Sequence, residues 1–481
     1  MTSVTRVLVI GAGPAGMSAA LQARELGAET TLLEADEVGG TSLHRGPAPV
    51  RTLARAARLA RDWTSWTHFG LVGQRPEPDL RALLFRSAEV AQYARDKKRM
   101  APHLRRHGID LVEHIGPTRF VDSHTVTVDD GRTWTAHRII VAVGGHATRL
   151  PVPGAELALT YNDIPSLTEL PGSAAIVGGA DTGCQIASIL ADFGVAVSIF
   201  EIGPALIGSA DESVSDGLAD AFRSRGLEVN TNCAVTELRR SNGQLTIDYA
   251  SGDETGSASY DAVFMAVGWP ANIHGLELSN AGVESTRDAI PVDDFLRTNI
   301  DDIFAAGDVN GHIKLVQVAR AEGRTAAINA VSGPVQRVSY DVVPAGSFTD
   351  PEYGQVGLTE AAARQTHDVV AAVALYEELL RPVADGRADG FCKLIADRQS
   401  RQILGAHVLG DYSAEIIQVV AAIMAAGMTV EQVATLQFAF PTFTEAVGMA
   451  AQMICRDLNV GRFPQVWSDL SHKHGEHGPK F

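Results

Sequence analysis

Two short glycine-rich segments are where residue type and spacing first imply chemistry. One runs Gly11-x-Gly13-x-x-Gly16, with Glu34 following 23 positions after Gly11. In such a segment the first glycine permits a tight turn. The second lets the backbone approach a pyrophosphate, and the third lets the following helix pack closely on its strand. The helix N-terminus offers free N–H groups and a positive dipole end to the phosphates. A carboxylate at Glu34 can accept hydrogen bonds from a ribose diol. The other segment runs Gly178-x-Ala180-x-x-Gly183, with Glu201 in the same relation. Here the middle position carries a methyl group where the pyrophosphate should come closest.

The elements that position these residues are legible around them. Residues 6–34 and 174–201 align at a shift of 167 positions, which lays Gly11 on Gly178, Gly16 on Gly183, Gly27 on Gly194 and Glu34 on Glu201. Each segment is an apolar β-rich run, a glycine turn, an Ala-rich helical stretch and a second β-rich run ending in an acid. That is the strand–turn–helix–strand unit of a dinucleotide-binding fold, present twice. An acid at Glu201 favours a free 2′-hydroxyl over a 2′-phosphate, so NADH is expected over NADPH at the second site. Residues 134–154 predict a buried strand, the Gly144-Gly145 turn and a crossover between domains. Residues 261–272 repeat the theme with Gly268 at the turn. Residues 303–311 predict an apolar strand that delivers Asp308 at a glycine turn, followed by a helix over 312–331. Beyond about 340 the glycine fingerprint stops and a separate C-terminal domain is expected.

Bulk properties narrow the partners. The chain has 481 residues, too many for one core, and Lys+Arg 40 against Asp+Glu 57 gives a net charge of −17. So negative a chain repels phosphate backbones and anionic lipid, so neither nucleic acid nor membrane is an expected partner. Cys184, Cys233, Cys392 and Cys455 have no metal or CxxC spacing and are expected to be free buried thiols in a reducing compartment. No leader peptide or membrane span is read, so a cytoplasmic location is expected. His472, His474 and His477 are taken as a solvated polar tail, and no metal is assigned.

The order of landmarks resembles the pyridine nucleotide-disulfide oxidoreductases, among them dihydrolipoamide dehydrogenase, mercuric reductase and glutathione reductase. Gly11, Gly13, Gly16 and Glu34 match the family's FAD fingerprint. Ala305-Ala306-Gly307-Asp308 matches its second flavin motif, in which the aspartate bonds the ribityl chain. Residues 315–323, including Gln317 and Ala319, match the helix whose N-terminal end faces the flavin, and residues 351–360 match the start of the dimerisation domain. The resemblance implies an α/β chain with two Rossmann-like domains and an α+β C-terminal dimerisation domain. Its expected divisions are an FAD domain in two parts (1–153 and 276–338), an NAD(P) domain (154–275) and an interface domain (339–481). It also implies FAD, NAD(P)H and a homodimer with shared active sites.

Departures from the family carry the functional expectation. The family motif GGTCxxxGCxPSK reads GGTSLHRGPAPVR here, so Gly40 and Thr41 remain while Ser42 and Pro47 stand at the two cysteine positions. Neither residue can store an electron pair as a dithiol does. Near the C-terminus HPTxSE reads FPTFTE, with Phe440 for the histidine and Glu445 retained. The family's lysine–glutamate pair becomes Arg51 and Gln185, a cation beside a neutral amide, expected near the flavin. The leading expectation is electron flow from NAD(P)H through FAD to a small planar acceptor such as a quinone. Phe440, with Phe438, would come from the partner subunit and His44 would donate protons. The alternatives are a flavin-dependent oxidase or dehydrogenase of an organic substrate with a weakened nicotinamide site, and a non-catalytic flavin-binding regulator.

Overall fold

The structure is a computed structural model that describes residues 4–44, 46–461 and 463. Its first sheet is parallel, in the order Ile303–Ala305, Arg138–Val141, Arg6–Ile10, Glu29–Leu33, Asp110–Val112. The strand Arg6–Ile10 shows why it forms. Val7 and Val9 enter one apolar cluster with Ala19 and Ala23, while Leu8 and Ile10 enter another with Ile139 and Val141. Alternate side chains point to opposite faces, so a continuous apolar run is buried on both. The helix Pro14–Glu25 covers one face, and the helix Val316–Ser332 lies on it. A methyl group at Gly323 would stand 2.1 Å from the Ala15 carbonyl oxygen, so the two backbones meet through small residues.

The second sheet repeats the plan in the order Glu228–Asn230, Ala196–Phe200, Ser173–Val177, Ala262–Met265, again parallel. Three-stranded antiparallel meanders over 119–135 and 234–260 precede the strands Arg138–Val141 and Ala262–Met265. The third unit is a five-stranded antiparallel sheet, Ala345–Ser347 to Val369–Leu375, backed by the helices Ser413–Ala425, Val430–Ala434 and Glu445–Asp457. The fold is therefore α/β, with two Rossmann-like units and a C-terminal α+β unit. One expectation shifts: the helix placed at 312–331 begins at Val316, after a short extended stretch.

Five arginines and five carboxylates knit the three units together. Arg58 and Arg61, on the helix Pro47–Arg61, reach Asp350 of the third unit, and Arg58 also reaches Glu352 and Asp411. Arg225 and Arg61 share Asp192 of the second unit. Arg387 joins Asp62, Asp350 and Asp411, and Arg51 joins Glu352. Burial pushes Asp192 up to about 6, while the surrounding guanidinium groups overcome burial at Asp350 and hold it below the usual carboxylate range.

Candidate functional site

Both glycine turns adopt the geometry that their spacing predicts. Gly11 and Gly178 have φ of +99° and +103°, in the left-handed region where a side chain is strained. A methyl group on Gly16 would stand 1.7 Å from the Gly11 carbonyl oxygen, and one on Gly183 1.8 Å from that of Gly178. These two glycines serve helix packing and do not face the cavity. Glu34 accepts from the Ala12 N–H at 2.7 Å and the Asp36 N–H at 3.0 Å, folding its carboxylate over the turn. Glu201 does the same with the N–H groups of Gly179 and Gly203.

A continuous cavity of about 1770 Å³ joins the two turns. That exceeds the roughly 300–1000 Å³ of a site for one small ligand. Its walls include Gly11, Gly13, Glu34, Gly40, Thr41, Ser42, Gly144, Asp308, Gln317 and Ala319 from the first unit. Gly178, Ala180, Gln185, Glu201 and Gly268 line it from the second unit and its exit strand. Gly40 packs against the first turn so closely that a methyl group on it would stand 2.8 Å from the Gly13 Cα. A methyl group on Gly13 would meet nothing nearer than 3.9 Å, which leaves open the space a pyrophosphate needs. The glycine cradle, the helix N-terminus, the Glu34 carboxylate and Asp308 thus fit a bound FAD, and the second turn fits a second dinucleotide.

Asp308 has a partner that the sequence did not disclose. Its Oδ2 accepts from the indole N–H of Trp269 at 2.8 Å, and Lys314 donates to the Trp269 carbonyl oxygen at 2.7 Å. Burial raises the Asp308 carboxyl, opposed by the indole hydrogen bond and the Lys314 charge. Trp269 stacks at a tilt on Tyr161, with centroids 5.5 Å apart. Gln317 donates to the Pro344 carbonyl oxygen at 2.7 Å, tying the helix start to the third unit.

Several expected residues lie elsewhere. Arg51 points into a separate cavity of about 720 Å³, pairs with Glu352 at 3.1 Å and lies over the Phe348 ring. Its countercharge is Glu352, so the expected uncompensated cation beside Gln185 is absent; Lys314 is a cation that does line the flavin cavity. His44 does not line that cavity. Arg95 donates to its Nδ1 at 2.8 Å and its Nε2 lies 3.3 Å from the Val38 carbonyl oxygen, so both nitrogens are engaged in tying down the short helix Gly40–His44. The proton-donor role is therefore withdrawn. Ser42 does line the cavity, with its hydroxyl 3.4 Å from the Gly39 carbonyl oxygen. Phe440 is 72% exposed. Phe438 is half-buried and packs on its own subunit's core, beside Gly448. Glu445 accepts from the Thr442 N–H at 3.1 Å, fixing the loop that carries Phe440.

All four cysteines are free and buried, and burial pushes their thiols up. Cys233 touches the cavity, but beside Ala234 and Val235 on the nicotinamide-unit wall. Among the described residues no cluster of His, Cys, Asp or Glu could hold a metal ion, and no helix is long and apolar enough to cross a membrane. The three tail histidines lie outside the described residues.

Comparison with known proteins converges on one family. Residues 5–323 match the family model "Pyridine nucleotide-disulphide oxidoreductase", and residues 343–451 match its dimerisation domain. Dihydrolipoyl dehydrogenase of Mycobacterium tuberculosis is 32% identical over 464 residues, covering 93% of this chain and 98% of that protein. Mercuric reductase of Lysinibacillus sphaericus is 28% identical over 457 residues, covering 94% and 83%. The solved structure of the HOCl-induced flavoprotein disulfide reductase RclA from Escherichia coli superposes with a TM-score of 0.82 at 25% identity, covering 93% of this chain and 99% of that one.

Proposed function

The chain belongs to the pyridine nucleotide-disulphide oxidoreductase family, which uses FAD and NAD(P)H, and from that premise we propose a member that has kept the electron source and given up the dithiol. It acts as an NAD(P)H oxidoreductase whose acceptor is a small planar molecule of the quinone type. The observation that carries this reading is Ser42 in the flavin cavity, with Pro47 at the second cysteine position and every cysteine of the chain buried away from that end. A disulfide substrate needs an attacking thiolate, and none is poised here.

Bound FAD supplies a two-electron carrier between a hydride donor and an acceptor. The residues supply placement. Gly11, Gly13 and Gly40 shape the pyrophosphate bed with the N-terminus of Pro14–Glu25, and Glu34 takes the ribose. Asp308 takes the ribityl chain, aimed by the Trp269 indole. Glu201 and the N-terminus of Asp181–Asp192 take NADH in preference to NADPH. Leu43, Ala48 and Val50 make the wall beside Ser42 apolar, which excludes water and suits a flat ring. In a homodimer Phe440 of each subunit, held out by the Glu445-fixed loop, covers the other subunit's acceptor side.

Anaerobic rapid mixing of the yellow holoenzyme with NADH tests this. Bleaching within milliseconds, then reoxidation by benzoquinones but not by lipoamide or oxidised glutathione, is the expected result. Turnover of a disulfide would sink the proposal. The organic-donor alternative drew on Ala180, yet the Ala180 backbone (φ −81°, ψ −173°) matches that of Gly13 (φ −76°, ψ −172°), so the turn keeps its shape.

A further inference from the structure

The helix Asp181–Asp192 opens with an acid, exposed to the open cavity, that the fold itself does not require. The corresponding first residue of the other dinucleotide helix is Pro14, and the same turn is built there without a carboxylate. Asp181 lines the cavity one helical turn before Gln185, on the same face. The Tyr353 hydroxyl donates to its Oδ1 from the strand Tyr353–Gly357 of the third unit, and Tyr353 is only 2% exposed. The carboxylate that the family keeps at position 185 is replaced by Gln185, and an acid stands four residues earlier.

A dinucleotide bound with its adenosine ribose at Glu201 and its pyrophosphate at this helix N-terminus must carry its nicotinamide ring onward past Asp181 and Gln185. A carboxylate in the first turn works against the pyrophosphate, since both are negative. What it can compensate is the ring, which carries one positive charge when oxidised and none when reduced.

We propose that Asp181, oriented by Tyr353, is a specificity-determining residue that makes this site hold the oxidised, cationic nicotinamide ring more tightly than the reduced, neutral one. The other charged groups at this site are set apart from it. Glu201 is bound to the turn N–H groups, Lys314 to the Trp269 carbonyl oxygen, and the Cys184 thiol is held neutral by burial. Desolvation by the surrounding cavity walls raises Asp181 to about 6, which leaves it ionised near pH 8. Asp181 faces the open cavity, and a nicotinamide ring seated against it would displace the intervening water and so strengthen the attraction between the two charges.

This inference rests on the second turn being a nicotinamide site, and the test separates the two. Calorimetric titration of the oxidised holoenzyme with NAD⁺, and separately with the redox-inert neutral analogue 1,4,5,6-tetrahydro-NAD, is performed on wild type, Asp181→Asn, Asp181→Ala and Tyr353→Phe. In both Asp181 variants NAD⁺ should weaken by about tenfold while the neutral analogue stays within about twofold. Tyr353→Phe should shift the ratio in the same direction by less. Wild type binding both ligands with a ratio unmoved by Asp181→Asn, or both ligands changing equally, overturns the inference alone. Wild type binding neither ligand overturns the nicotinamide site and the inference with it.

Discussion

The two glycine turns share their backbone angles at Gly11/Gly178 and Gly13/Ala180 and differ most in charge and bulk at two adjacent positions, Gly13-Pro14 against Ala180-Asp181. Since Ala180 has the dihedral angles of Gly13, the middle glycine of the motif is not a conformational necessity. It is a matter of space, and the first turn keeps that space against Gly40 while the second fills it with a methyl group. Pro14 is preorganised for a helix start and carries no charge. Asp181 carries a charge and faces the open cavity. The first turn is built for permanent occupancy, the second for a visitor whose charge changes.

Breaking each turn in the same way should produce the largest divergence. Gly16→Ala forces a methyl group against the Gly11 carbonyl, an overpacking of about 3 kcal/mol or more, and should yield protein without flavin. Gly183→Ala should remain yellow but fail to bind NADH. The flavin-to-protein absorbance ratio and a nucleotide titration check both.

Next in size is the stability effect of Asp181. Its folded pKa, about 6, lies above the usual 3.8, so its contribution to stability is fully present below pH 3.8 and is lost as pH rises through 6. Asp181→Asn should therefore gain on wild type as pH rises from 4 to 8, by less than the full shift implies because the side chain is open to solvent, with the gain gone near pH 4. Denaturant titrations at the two pH values measure it, and no equivalent change exists at Pro14.

Two smaller effects sharpen the comparison. Glu201→Ala should cut the preference for NADH over NADPH by about tenfold, read as the ratio of flavin reduction rates. Ala180→Gly, which restores the first turn's free space, should tighten the neutral analogue about threefold without altering flavin content.

What the sequence disclosed follows the same division. The turns, their acids and the Asp308 strand are local patterns within some thirty residues, and backbone geometry enforces them. The partners that redefine the site are distant in the chain. Arg51 finds Glu352 at a separation of 301 residues, Asp181 finds Tyr353 at 172, and Trp269 finds Asp308 at 39. Position within a motif placed Arg51 near the flavin, but a carboxylate on another unit decides where its guanidinium points. His44 was judged by its distance from Ser42 along the chain, whereas the helix Gly40–His44 turns the two side chains apart and Arg95 captures the imidazole.

The arginine–carboxylate knot around Asp350 has a consequence for motion. It ties the helix before the acceptor side, the back of the nicotinamide unit and the third unit at one point, through Arg61, Arg225 and Arg387. Rocking the nicotinamide unit as a rigid body would have to part several buried ion pairs at once, each strongly unfavourable to leave single. The nucleotide is therefore received by side-chain rearrangement within a stationary frame and not by hinge closure, and small-angle scattering profiles with and without NAD⁺ should coincide.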